Sequence, residues 1–187
     1  MDYVFGSIGS KDIFKKLKKT KSIYIETGFY RGGGVEWALN NFDDVHSIEL
    51  FEPFYEAGIE KFKGNSKVNL HLGDSKIKLG EILNQLNQPC FIFLDAHGDI
   101  KQTGPNPLYE ELKSIKNNSI KNHTILIDDV RRIGDESDPC WSKVDIEELK
   151  SRLIDINNEY VVFEFKDILV ACLQEEIINE WVIPYNQ

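Results

Sequence analysis

Short apolar runs alternate with amphipathic stretches along most of the chain. Ser22-Ile-Tyr-Ile-Glu26 is rich in β-branched and aromatic residues and predicts a strand. Val45–Leu50 and Val68–Leu72 read the same way. Cys90-Phe-Ile-Phe-Leu-Asp95 and Thr124-Ile-Leu-Ile-Asp128 are almost wholly apolar, as parallel strands covered on both faces are. Between these runs, apolar residues at helical spacing predict helices over about 34–41, 53–62, 76–86, 107–117 and 144–157. Pro53 suits the first turn of the second. Only Lys166-Asp167 separates Tyr160–Phe165 from Ile168–Leu173, a gap that permits a hairpin alone, so the last strand pair is antiparallel. Ile13, Phe14 and Leu17 give the N-terminal segment 1–21 a helical pattern, and Ile177, Ile178, Trp181 and Ile183 should pack the tail 174–187 on the body. Five β–α units and a hairpin imply an α/β, doubly wound sheet of about seven strands, mostly parallel, with helices on both faces. No repeat or linker interrupts it, so residues 1–187 read as one domain.

Charge narrows the partners. Lys plus Arg number 22 and Asp plus Glu 31, a net of −9, which disfavours a nucleic-acid partner. The six lysines between Lys11 and Lys21 read as a solvated helix face. Cys90, Cys140 and Cys172 are too far apart for a metal pair or a disulfide framework, and Cys90 and Cys172 sit in apolar runs that predict core positions. No leader-like segment and no apolar run of about 18 residues is evident, so the expectation is a soluble, cytoplasmic protein without a membrane partner.

Ligands of open α/β sheets bind at the carboxyl ends of the strands. Here every parallel strand delivers an acid to that edge: Glu26, Glu49, Asp74, Asp95 and the pair Asp128-Asp129. Crowded carboxylates repel and require cations or hydrogen-bond donors. The first strand runs into Glu26-Thr-Gly28-Phe-Tyr30-Arg-Gly32-Gly33-Gly34, a glycine-rich turn before a helix. Glu49 lies 21 residues past Gly28, placed to accept from both hydroxyls of an adenosine ribose. Asp74, after Gly73, is placed for the adenine amine, while Ser75 suits either adenine or a helix cap. A dinucleotide loop needs glycine where Tyr30 stands, because the backbone must approach a pyrophosphate closely. No G-x-x-x-x-G-K-[ST] run is present. S-adenosylmethionine carries no phosphate, and its amino and sulfonium groups suit acidic strand tips.

Glu26-x-Gly28-x-x-x-Gly32, Glu49, Gly73-Asp-Ser75 and the five units with their hairpin resemble the class I S-adenosylmethionine-dependent methyltransferases, over residues of about 20–173. Glu-Thr-Gly-Phe-Tyr at 26–30, Ser-Ile-Glu-Leu at 47–50, Leu-Asp-Ala-His at 94–97, Pro-Leu-Tyr-Glu-Glu-Leu at 107–112 and Ile-Asp-Asp-Val-Arg at 127–131 resemble a bacterial subgroup whose acceptors are poorly defined. The resemblance implies a Rossmann-like fold and a methyl-transfer activity. It assigns Glu26, Thr27, Gly28, Phe29, Tyr30, Gly32 and Gly33 to the methionine part, Glu49 and Leu50 to the ribose side, and Gly73, Asp74 and Ser75 to adenine, with Asp95 beside the donor. Tyr30 departs from the family's second glycine.

A second constellation joins Asp95-x-His97 to Asp128-Asp129. Asp95, Asp128 and Asp129 offer oxygen ligands for Mg2+ or another divalent cation, similar to the metal-dependent O-methyltransferases. Alternatively, Asp128 caps the next loop and Asp129 pairs with Arg131 or Arg132. His97, helped by Asp95, is the expected general base, with Asp99 next and a structural histidine as the bland alternative. His46, His71 and His123 receive no chemical role. Tyr3, Phe5, Tyr109, Arg131, Arg132 and Trp141 are candidates to shape an acceptor pocket, either small and open or completed by a second copy in a homodimer. The expected reaction is O-methylation of a small-molecule or sugar-like acceptor. A non-catalytic cofactor-binding module and a metal-dependent hydrolase of another α/β class are the alternatives.

Overall fold

A computed structural model describes residues 13, 17, 20–97 and 104–178. The elements in chain order are β1 (Ile23–Thr27), α1 (Gly33–Ala38), β2 (Asp44–Glu49), α2 (Glu52–Lys61), β3 (Val68–Leu72), α3 (Ser75–Leu83), β4 (Cys90–Leu94), α4 (Leu108–Asn117), β5 (Thr124–Ile127), α5 (Ile146–Ile156), β6 (Tyr160–Phe165) and β7 (Ile168–Leu173). The seven strands form one sheet in the order β3-β2-β1-β4-β5-β7-β6. β1 to β5 are parallel, while β7 runs antiparallel to both β5 and β6. The order reverses between β1 and β4, which opens a crevice at the carboxyl end of the sheet.

Strand alternation sends successive side chains to two separate cores. Ile23, Ile25, Ile92, Leu94, Ile125 and Ile127 face one layer with α3, α4 and α5, where Leu79, Leu112 and Leu149 pack. Tyr24, Val45, Phe91, Phe93, Leu126 and Val170 face the other, with Val35 and Ala38 of α1. Ile13, Leu17 and Ile177 close this second core, and Leu17 pairs with Ile177 through an isolated antiparallel bridge. All three cysteines are buried. Residues 1–12, 14–16, 18 and 19, and residues 179–187 with Trp181 and Ile183, lie outside the described residues.

The hairpin boundaries match the sequence reading, but two helices stop short of it. α1 ends at Ala38 rather than 41, because the Asn40 and Asn41 side-chain amides donate to the Glu36 and Trp37 carbonyls. α3 ends at Leu83 rather than 86, where Asn118 from the end of α4 donates to the Leu83 carbonyl at 3.1 Å. Pro53 sits in the first turn of α2 as expected. No helix among the described residues is long and apolar enough to cross a membrane.

Candidate functional site

The tips of the parallel strands are tied together by their backbones. Gly28 and Phe29 donate to the Ile48 carbonyl at 2.9 and 3.2 Å, and Gly73 donates to the Glu49 carbonyl at 2.8 Å. The Asp95 N–H reaches both the carbonyl and Oγ1 of Thr27, each at 3.2 Å. β1 and β4 approach so closely here that a Cβ on Gly28 would lie 2.5 Å from the Asp95 carbonyl oxygen. Gly28 also holds φ at +88°, a conformation glycine adopts readily.

Over these tips lies a cavity of about 350 Å3, lined at its base by Gly28, Glu49, Gly73, Asp95, Ala96 and His97. Leu50, Phe51, Phe54 and Tyr30 form an apolar rim, with Asp74, Ser75 and Lys76 on the α3 side. Of the residues expected to contact a cofactor, the cavity therefore gathers Gly28, Tyr30, Glu49, Leu50, Gly73, Asp74, Ser75 and Asp95.

Glu26, Thr27, Phe29, Gly32 and Gly33 stand away from it. The buried Glu26 carboxylate turns inward to accept from Ser47 Oγ at 2.7 Å and Tyr24 OH at 3.1 Å. Burial raises its pKa to about 7, and the donated bonds oppose the rise only partly. Thr27 is buried against Asp95, and Phe29 packs edge-on against Phe62 in the second core. Gly32 and Gly33 begin α1. Ser75 is the first helical residue rather than a cap, since the Asp74 side chain caps α3 by accepting from the Lys76 N–H at 3.0 Å.

Glu49 is the most developed group of the cavity. One carboxylate oxygen accepts from Tyr30 N–H at 2.8 Å and the other from Phe51 N–H at 2.7 Å. Each oxygen keeps a further lone pair for a ligand hydroxyl. Tyr30 adopts φ +49° to bring its N–H to Glu49, and its ring meets Phe54 edge-on at 4.9 Å. A tyrosine in the left-handed region is strained, which marks this loop as over-determined by its surroundings.

The opposite wall holds Asp95 and His97. The His97 side chain is fully buried, with its ring 4.3 Å from that of Trp141. Its Nδ1 lies 3.9 Å from Asp95 Oδ1 and 3.8 Å from Asp129 Oδ2, and neither ring nitrogen makes a hydrogen bond of normal geometry. Burial pushes the imidazole down to about 4, although Asp129 pulls the other way. The sequence expectation of a histidine titrating near neutrality is thus corrected by desolvation. Asp95 moves up instead, by burial and then by repulsion from Asp128 and Asp129.

The expected acids Asp95, Asp128 and Asp129 gather at this edge, where Asp95 is repelled by Asp128 and then by Asp129. Asp95, His97 and Asp129 bring one ligand atom each within 4.8 Å of one another, while Asp128 groups with Asp129 and Asp167. The buried Asp128 accepts from the Asp129 N–H at 2.9 Å, which helps hold Asp129 at φ +59°. Both arginine pairings foreseen for Asp129 form: Arg131 at 2.8 Å and Arg132 at 3.5 Å. Trp141 is buried under His97, and the Tyr109 hydroxyl accepts from Asp145 N–H at 2.9 Å away from the cavity. Asp99, Tyr3 and Phe5 lie outside the described residues. His46 and His71 bond to each other at 3.0 Å on β2 and β3 and do not line the cavity.

Glu111 was missed. It is fully buried on α4, faced by the hydroxyls of Ser75 and Thr27, and burial raises its pKa to about 7. The sequence did carry a signal, since Glu111 shares the inward stripe of Leu108, Leu112 and Ile115.

No protein-family model and no curated protein matches the chain. Solved structures do. The S-adenosylhomocysteine-bound methyltransferase PaMTH1 of Podospora anserina aligns over 82% of this chain and 72% of its own, at 17% identity and a TM-score of 0.52. The MycE methyltransferase of mycinamycin biosynthesis, solved with Mg and S-adenosylhomocysteine, aligns over 87% of this chain at 15% identity and a TM-score of 0.57. This chain spans 48% of MycE. Streptomyces venezuelae DesVI aligns over 87% of this chain and 89% of its own, at 11% identity and a TM-score of 0.60. The chain has the class I S-adenosylmethionine-dependent methyltransferase fold. Within that fold, the cavity occupies the carboxyl edge of the strands, between the Glu49 tip of β2 and the Asp95 tip of β4.

Proposed function

We propose that this protein transfers a methyl group from S-adenosylmethionine to an oxygen of a small-molecule or sugar-like acceptor, with a divalent cation such as Mg2+ held by Asp95, His97 and Asp129. The observation that carries the reading is the Glu49 carboxylate. Backbone N–H groups from two loops fix it at the cavity, and its remaining lone pairs match a ribose diol. The close Gly28–Asp95 approach joins two residues of the cavity lining, and the cavity volume suits a ligand of nucleoside size.

The chain's residues divide the work. Glu49 binds and orients the donor, and Leu50, Phe51 and Phe54 shield it from water. The Glu49 carboxylate at the cavity favours a cationic donor over a neutral one. Holding the acceptor oxygen in line with the methyl supplies most of the acceleration.

The cation set brings two carboxylates and an imidazole to face one another. The His97 distances of 3.8 and 3.9 Å lie between the roughly 3.0 Å of adjacent and roughly 4.2 Å of opposed ligands of a six-coordinate ion, so binding would draw the two carboxylates toward the imidazole. Burial keeps His97 neutral, as a ligand must be, and neither ring nitrogen makes a hydrogen bond of normal geometry. It serves here as a ligand rather than as the base. A bound divalent cation supplies Lewis-acid lowering of the acceptor hydroxyl's pKa.

Titration of S-adenosylhomocysteine into the protein by calorimetry tests the donor half. Micromolar binding that weakens at least about tenfold in Glu49→Gln, a loss on the scale of one charged hydrogen bond, is the expected result. Absence of binding, or equal binding in a folded variant, refutes it.

A further inference from the structure

Arg132 encloses the cation set, and nothing in the proposed chemistry uses it. Its Nη1 lies 3.5 Å from Asp129 Oδ2. That same oxygen is 3.8 Å from His97 Nδ1, so guanidinium and imidazole meet at one atom. The other guanidinium nitrogen, Nη2, pairs with Asp138, and the carbon Cζ sits 5.6 Å over the Trp141 ring. Trp141 in turn packs on His97. The arrangement closes a ring: Asp129, Arg132, Trp141 and His97. Arg131 holds the other oxygen of Asp129 at 2.8 Å and pairs also with Asp167.

We propose that Arg132 is the gate of the cation site: its guanidinium occupies Asp129 Oδ2 as a resident counter-ion, and a metal ion must displace it. This rests on the cation reading above. The geometry supplies the place to which Arg132 withdraws. Asp138 already accepts one edge of the fork, and the Trp141 face accepts the flat side, so release from Asp129 costs one ion pair rather than the burial of a bare charge. A guanidinium stays charged at any physiological pH, so the competition is permanent. A divalent ion gains twice the Coulomb energy of a monovalent one against the same displaced charge, and the gate therefore selects charge. The fully buried His97 gives the second observation that an acidic cluster alone lacks: neither ring nitrogen makes a hydrogen bond of normal geometry, and Nδ1 faces Asp95 at 3.9 Å and Asp129 at 3.8 Å.

The test uses Mn2+ alone as the probe, with the free ion read by electron paramagnetic resonance. It compares the wild-type chain with Arg132→Gln and Asp138→Asn, each checked for folding by circular dichroism. Removing the competing charge should tighten Mn2+ binding at least about tenfold in Arg132→Gln. Asp138→Asn deprives Arg132 of its resting place and should weaken binding several-fold, so the two variants move in opposite directions. Equal affinity in the wild type and Arg132→Gln overturns the gate while leaving the cation site standing. If Arg132→Gln does not fold, unchanged affinity in Asp138→Asn overturns the gate. Absence of Mn2+ binding in the wild type and in the variants overturns both the gate and the cation reading.

Discussion

Gly28→Ala is the sharpest steric perturbation the site offers. The new methyl would lie 2.5 Å from the Asp95 carbonyl oxygen, 3.0 Å from its carbon and 3.2 Å from the Ala96 Cα. All three are backbone atoms of the β4 tip, so no side chain can rotate away. Restoring ordinary contact requires the tips of β1 and β4 to part by several tenths of an ångström. That movement strains the paired bonds from Asp95 N–H to Thr27, each now 3.2 Å. The φ of +88° adds about 1–2 kcal/mol for any residue with a Cβ. Together with overpacking of about 1–3 kcal/mol, the expected loss of stability is about 2–5 kcal/mol. The floor of the cavity moves with the tips, so S-adenosylhomocysteine binding should fall by more than about tenfold even in molecules that remain folded. Urea denaturation and calorimetric titration of the same preparation measure the two effects. A variant that loses less than about 1 kcal/mol and binds normally would refute the close approach of β1 and β4 as the basis of the site.

Further predictions rest on individual groups. Tyr30→Pro removes the N–H that reaches Glu49 and forbids φ +49°, whereas Tyr30→Gly keeps both. Titration of S-adenosylhomocysteine should therefore show binding lost in the proline variant and retained within about threefold in the glycine variant. Glu111 has a folded pKa near 7 against 4.5 for the free side chain. A raised acid keeps its proton longer in the native state, so its contribution declines as pH rises from about 4.5 to 7 and is flat above. Glu111→Gln should remove that decline and raise stability at about pH 8 by up to about 3 kcal/mol, measured by urea denaturation at pH 5 and 8. The same pH dependence in variant and wild type would contradict the assignment.

Much of the fold was legible because its signals are local. The apolar runs at 90–95 and 124–128 can only be central strands, and the two-residue gap at 166–167 can only be a hairpin. Spacing alone placed Glu49 at the tip of β2, and the cavity gathers it with Gly28, Asp74 and Asp95. Side-chain direction was not legible. Glu26 shares the motif with Gly28, yet strand alternation turns it into the second core toward Tyr24 and Ser47. Asp129 takes a left-handed backbone that no sequence pattern announces, and its carboxylate meets Arg131 and Arg132 as well as His97. His97 reads as a general base or a structural histidine, and only the fold shows Trp141, 44 residues later, packed on it. Burial imposed by distant segments decides pKa, and no local pattern announces it.

A crystal structure of the protein grown with S-adenosylhomocysteine tests the central claim most directly. The account predicts the nucleoside in the cavity between the tips of β2 and β4, with both ribose hydroxyls about 3 Å from the Glu49 carboxylate. A ligand bound elsewhere, or one in the cavity whose ribose leaves Glu49 untouched, would contradict it.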